Sequence, residues 1–178
     1  MTRSQFDSAS RPRAGIRAAV AVLALLGAGA AGLAGCSGAT PEGPPEIRLG
    51  RDQCTECGMI INEDRCSCAS RVDLGQGAEM ALFDDIGCML EHERLKPESK
   101  VLTRYVHDHT TRQWLEADKA TFLLAESVRT PMGSGIVAYA SKDAAEAAKK
   151  EHPGEVYDFA ALAAARKKAM EEQFGTPK

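Results

Sequence analysis

The chain has 178 residues, with 22 Lys and Arg against 25 Asp and Glu, six Cys, six Met and one Trp. Its 44% apolar and 26% charged content belongs to a folded globular protein and excludes a disordered or fibrous one. A net charge of −3 offers no basic footprint for nucleic acid. The length suits one domain or two small lobes. The sulfur content is the feature that asks for a chemical explanation.

Residues 1–17 carry Arg3, Arg11, Arg13 and Arg17 against a single acid, Asp7. The apolar run that follows, residues 18–31, is shorter than the roughly 20 residues of a spanning helix and matches the core of a signal peptide. Pro12 separates Arg11 from Arg13, so the twin-arginine pattern is not met. The run ends in Leu33-Ala34-Gly35-Cys36, which resembles the lipobox of bacterial lipoproteins. That resemblance implies a signal peptide over 1–35, lipidation of Cys36, a flexible tether over 36–45 and a folded domain over 46–178. A soluble secreted protein cut after small residues is the alternative. Ser37 after the Cys favours the outer membrane where that sorting rule operates. Without residues 1–35 the net charge becomes −6. Five cysteines then remain: Cys54, Cys57, Cys66, Cys68 and Cys88. An odd number leaves at least one thiol outside any intramolecular disulfide, which in an oxidising compartment points to reactivity, intermolecular pairing or metal binding.

In chain order, the Gly/Pro/Ser-rich stretch 37–45 is too poor in apolar residues to pack. Residues 52–59 carry a C-x-x-C without clean periodicity and read as a loop. Strands are predicted over 66–72 and 79–83 around a Gly75-Gln76-Gly77 turn. Asp84 or Asp85 caps a helix running to Leu95 and ended by Pro97. A strand over 101–108 places Val101, Thr103, Tyr105 and His107 on one face. The second half predicts a helical turn over 117–120, strands over 122–128 and 136–140, and a helix over 141–151. A short strand near Val156 and a last helix from an Asp158 cap to Phe174 complete it. Each half reads strand, strand, helix, strand, without residue-level repetition. The class is α+β, two such lobes forming one compact unit.

Cys54-Thr55-Glu56-Cys57-Gly58-Met59 is the sharpest local signal. Two intervening residues let the sulfurs converge, Gly58 permits an unusual backbone angle, and Met59 adds a thioether. C-x-x-C alone leaves three readings open: a redox dithiol, half of a zinc site, or a soft-metal clamp. A redox motif should open a helix, and Ile60-Ile61-Asn62-Glu63-Asp64 is a poor helix start. Cys66-x-Cys68 could supply the second pair of a zinc site, although on a strand its sulfurs would share one face, so zinc stays open but unforced. Met132 lies in Thr130-Pro131-Met132-Gly133-Ser134-Gly135, a shaped loop rather than a periodic apolar run. Thiolate and thioether ligands together select Cu(I). Cys88 and His92 share a helix face, read as a buried Cys and an exposed His. His107 and His109 read as solvated, and Trp114 as a core anchor.

Four motifs occur in order: Cys54-x-x-Cys57-Gly58-Met59, Phe83-Asp84-Asp85-Ile86-Gly87-Cys88, Trp114-Leu115-Glu116-Ala117 and the Met132 loop. With the lipobox, the chain resembles the NosL family, the nitrous oxide reductase accessory lipoproteins, over about 51–159. The resemblance implies a fold like the two-lobed organomercurial lyase relatives. It also implies a membrane-anchored, periplasm-facing Cu(I) chaperone, not an enzyme, serving nitrous oxide reductase or its maturation machinery. By the same resemblance, copper ligation falls on Cys57 and Met132, with Met59 and Cys54 as close supports and Cys88 in reserve. Cys66 and Cys68 lie outside the motifs, either as a disulfide-prone pair or as extra copper capacity. The rival classes are a thiol–disulfide oxidoreductase and a structural lipoprotein stapled by zinc or a disulfide.

Overall fold

The structure is a computed structural model that describes residues 42–75 and 77–175. The expected signal peptide, Cys36 and most of the tether lie outside these residues.

Each half is built around its own first strand. In the first half, β1 (Cys68–Asp73) lies between β2 (Ala78–Phe83) and β3 (Lys100–His107), antiparallel to both. Its middle position covers it on both edges, and Cys68, Ala69, Ser70 and Val72 are all buried. A three-residue strand, β4 (Trp114–Glu116), extends the sheet beyond β3. In the second half, β5 (Thr121–Leu124) lies between β6 (Ile136–Tyr139) and β7 (Glu155–Tyr157), again antiparallel to both. The helix α1 (Ile86–Leu95) separates β2 from β3, and α2 (Lys142–Ala148) separates β6 from β7. The expected strand, strand, helix, strand order is therefore present twice. The closing helix α3 (Phe159–Phe174) follows the second unit.

Helix starts are set by side-chain caps that satisfy otherwise orphaned N–H groups. Asp85 accepts from Gly87 N at 2.7 Å, Ser141 from Ala144 N at 3.2 Å, and Asp158 from Ala161 N at 2.8 Å. The main core draws on both halves: Phe83, Ile86, Met89 and Val106 pack with Phe122, Ile136 and Leu162. A second cluster of Leu123, Val137, Tyr139 and Ala145 lies in the second half.

Asp108, just after β3, stitches the two sheets together. Its Oδ2 accepts from Ala140 N at 2.7 Å, and His109 N donates to Ala138 O at 2.8 Å. Burial pushes the Asp108 carboxyl up, but hydrogen bonds from Thr111, Ala140 and Thr110 outweigh it and hold the group below the usual carboxylate range.

Several expected boundaries move for identifiable reasons. β1 starts at Cys68 rather than 66, because Ser67 N turns back to Asp64 O at 3.0 Å. Cys66 therefore packs with Leu123 and Val137 while Cys68 packs with Phe83 and Val106, so the pair does not share a strand face. β5 stops at Leu124 instead of 128, since Ala125 N is taken by Gly135 O and Val128 N turns back to Ala125 O. α2 ends at Ala148, beyond which Glu151 N reaches Ala148 O in a tighter turn. β4 is too short to show alternation and exists through its pairing with β3.

His107 is buried rather than solvated: its Nδ1 lies 2.9 Å from Ser67 O, and Trp114 stacks on its ring at 3.7 Å. Trp114 is thus a half-buried cover over His107 rather than a central anchor. Burial lowers the pKa of both His107 and His109.

Asp85 carries more than a cap. Its Oδ2 accepts from Thr130 Oγ1 at 2.7 Å and from Met132 N at 3.0 Å, so one buried carboxylate joins α1 to the Met132 loop. Asp85→Ala should therefore cost about 3 kcal/mol, a lost cap plus unsatisfied buried donors. Ser141→Ala, losing a cap alone, should cost about 1 kcal/mol. Urea unfolding of the two variants checks this, and equal losses would contradict the joining role.

Candidate metal centre

The C-x-x-C loop is pinned at every side. At its base, Arg48 N and the Arg48 guanidinium close on the Asp52 carboxylate at 2.6–2.9 Å. Gln53 bridges Ile60, and Cys54 N donates to Met59 O at 2.8 Å. Gly58 N returns to Cys54 O at 2.9 Å, and Gly58 adopts φ +74°, a left-handed conformation that glycine takes without steric cost. The two middle residues tie the turn to the fold. Thr55 N donates to Leu82 O at 2.7 Å while its hydroxyl accepts from Leu82 N at 3.1 Å, docking the loop on the outer edge of β2. Glu56 meets His92 Nδ1 of α1 at 2.8 Å. His92, expected to be exposed, is buried in this contact and lies against Phe83.

The result is a cluster. Cys54, Cys57, Asp84 and Cys88 each offer one ligand atom, and these atoms all lie within 4.8 Å of one another. Three chain segments contribute: the loop, the end of β2, and the first turn of α1. Cys54, Asp84 and Cys88 are buried, whereas Cys57 is exposed. The Cys57 thiol donates to both Asp84 oxygens at 3.7 Å. Asp84 was not singled out as a ligand from the sequence. Its signal is the doubled acid before the helix, where Asp85 suffices as the cap.

The thiols are not equivalent. A hydrogen bond from Cys88 pulls the Cys54 thiol down to about 6, against burial that raises it, with backbone N–H groups of Cys57 and Asp84 assisting. Cys88, as the donor, is pushed far up, first by that bond and then by burial. Cys57 is raised by desolvation, by Cys54 and by the Asp84 charge. The two neighbouring thiols are thus pushed in opposite directions, Cys54 toward the thiolate and Cys88 toward the thiol. Cys66 and Cys68 are buried thiols with raised pKa, outside the cluster.

The Met132 loop approaches from the other side. A Cβ on Gly87 would lie 2.6 Å from Ser134 Cβ, so only glycine lets α1 and this loop come so close. Met132 lines an open cleft of about 260 Å³ together with Cys57 and Cys88. Met132 is 45% exposed, available to a ligand rather than packed in the core. Met59 is 53% exposed and does not line this cleft; its backbone carbonyl shapes the loop. The structure thus brings together the thiols of Cys54, Cys57 and Cys88, sets Met132 in the cleft that Cys57 and Cys88 line, and leaves Met59 outside that cleft.

The donor set suits a soft cation. Three sulfurs with a neighbouring thioether match the ligand preference of Cu(I), and one carboxylate among three thiols also satisfies tetrahedral zinc. A titration of thiolate absorbance should show a step near pH 6 that is missing in Cys54→Ser and moves upward in Cys88→Ala. A step unaffected by both substitutions would contradict the Cys54–Cys88 pairing.

Comparison with known proteins gives a consistent assignment. The NosL family model matches residues 47–166. The crystal structure of the copper chaperone NosL from Shewanella denitrificans superposes with a TM-score of 0.57 at 22% identity, covering 68% of this chain and 96% of that one. No curated protein matches the chain. The ordered motifs, the two-sheet α+β architecture and the family match over 47–166 together establish that this chain belongs to the NosL family.

Proposed function

We propose that this protein is a copper chaperone that carries Cu(I) as cargo and passes it to an acceptor protein. The carrying observation is the three-cysteine cluster opening through exposed Cys57 into a cleft lined by Met132. The likeness in fold to a copper chaperone supports it.

The chemistry follows from ligand charge and exposure. Cys54, its thiol pulled down beside Cys88, is the sulfur that gives up its proton most readily to a metal. Cys57, at the surface, is the sulfur an incoming ligand can reach. Met132 adds a soft, uncharged donor, and a thioether is released without any proton movement. Such a set binds the ion firmly while letting one ligand at a time be exchanged. Asp84 accepts from the Cys57 thiol and so keeps that sulfur turned toward the cluster.

The remaining parts of the reading extend this role. Lipid on Cys36 would anchor the protein to a membrane facing the periplasm, with 36–45 as the tether. The copper centres of nitrous oxide reductase, or the machinery that matures them, would be the acceptor. The protein would act as a carrier rather than an enzyme. The C-x-x-C lies in a bridged loop and does not open a helix, which speaks against a thiol–disulfide oxidoreductase. A structural zinc site remains the second reading because Asp84 supplies a fourth, harder donor.

Anaerobic titration with Cu(I) against a chromogenic chelator tests the proposal. Cys57→Ser and Met132→Leu should each weaken binding by more than about tenfold, a scale that even outer-shell losses reach. Binding should weaken as pH falls below about 6, where protons compete for the Cys54 thiolate. Unchanged affinity in both variants would remove this centre, and preferential Zn(II) binding lost in Asp84→Asn would select the structural reading. The anchor has its own test: Cys36→Ala should move the protein from the membrane to the soluble fraction.

A further inference from the structure

The copper cleft has a third wall, on α3, that the motifs do not include. Met170 of α3 lines the same cleft as Cys57, Cys88 and Met132, and so does Arg166 one turn before it. The family match ends at residue 166, so Met170 lies beyond it.

Its position follows from the phase of α3. Phe159 and Leu162 are buried and Ala163 packs against the main core. Positions 159, 162, 163, 166 and 170 follow the helical spacing of a single face. That face is held toward α1 by core packing at its N-terminal end, where the Arg104 guanidinium also lies over the Phe159 ring at 4.7 Å. Met170 is half-buried, on the same stripe two turns beyond Ala163. A leucine would serve packing here equally well. A thioether at the mouth of a cleft holding two cysteines and another methionine offers something leucine cannot.

We propose that Met170 is a second thioether for the cargo, so that Met132 and Met170 together hold Cu(I) while Cys57 is being exchanged for a ligand of the acceptor. This rests on the copper reading above. The step is ligand substitution alone: a sulfur–copper bond to Cys57 is replaced by one to an acceptor thiol, which gives up its proton as Cys57 takes one up, and copper keeps its +1 charge. Neither thioether carries charge or a proton, so their hold is indifferent to pH while that of the thiols is not.

The test uses the full chain under anaerobic conditions, with Cu(I) as the only added metal. Methionine methyl groups labelled with carbon-13 are followed by NMR as Cu(I) is added, and release to a chelator is timed. Met170→Leu conserves volume and should leave the fold intact. The expected result is a shift of the Met170 methyl resonance on Cu(I) addition and release several-fold faster in Met170→Leu, with Cys57→Ser losing most binding. An unshifted Met170 methyl and unchanged release, with Cys57→Ser still impaired, overturns the role of Met170 and leaves the chaperone reading standing. Retained binding in Cys57→Ser overturns both. The methyl shift is read on the unsubstituted chain, so it decides the matter even if the variant folds poorly.

Discussion

The buried Asp85 carboxylate is the constraint on which the site depends. One oxygen caps α1 and the other holds Thr130 Oγ1 and Met132 N, so the helix carrying Cys88 and the loop carrying Met132 have a common origin. A hydrogen-bonded carboxylate with no room to move fixes direction as well as distance. Gly87 completes the arrangement, since its missing side chain is what lets the loop settle against the first turn of α1. Position and donor chemistry are thus handled by separate residues. Asp85 and Gly87 set the geometry, and the sulfurs beside them are left free to meet a ligand.

The thiols show a second division of labour. A lone buried thiolate would be costly, and three identical thiols would resist ionising together. The pairing of Cys88 with Cys54 eases this by pulling one thiol down and pushing the other up. Cys57 forms the exposed rim of the cluster. Glu56 and Thr55 ensure that this rim does not drift, one fastened to α1 and the other to β2.

Much of this was legible in the sequence, and what was not has a common cause. Caps at Asp85, Ser141 and Asp158 are local chemistry, and the helices start where those residues stand. The doubled strand, strand, helix, strand order was likewise readable from periodicity and turn residues. Contacts between distant segments were not. Cys57 reaches Asp84 across 27 positions, His92 meets Glu56 across 36, and Thr130 meets Asp85 across 45. In sequence Asp84 is one of two capping acids, because nothing nearby announces the thiol it faces. The burial of His92 and His107 is hidden in sequence because their partners, Glu56 and Ser67, belong to other segments. Met59 differs in another way: the motif places it near the ligands in sequence, while its exposed side chain lies outside the cleft and its backbone carbonyl closes the loop.

The docking of Thr55 on Leu82 has a consequence beyond the cysteines it positions. β2 is an edge strand, and an uncovered edge invites pairing with another chain. Thr55 occupies both the N–H and the C=O of Leu82, so the cysteine loop also blocks that edge in the middle of its most apolar stretch. Any event that pulls the loop away exposes a sheet edge as well as two thiols. Loss of the site and exposure of that sheet edge are in this way coupled.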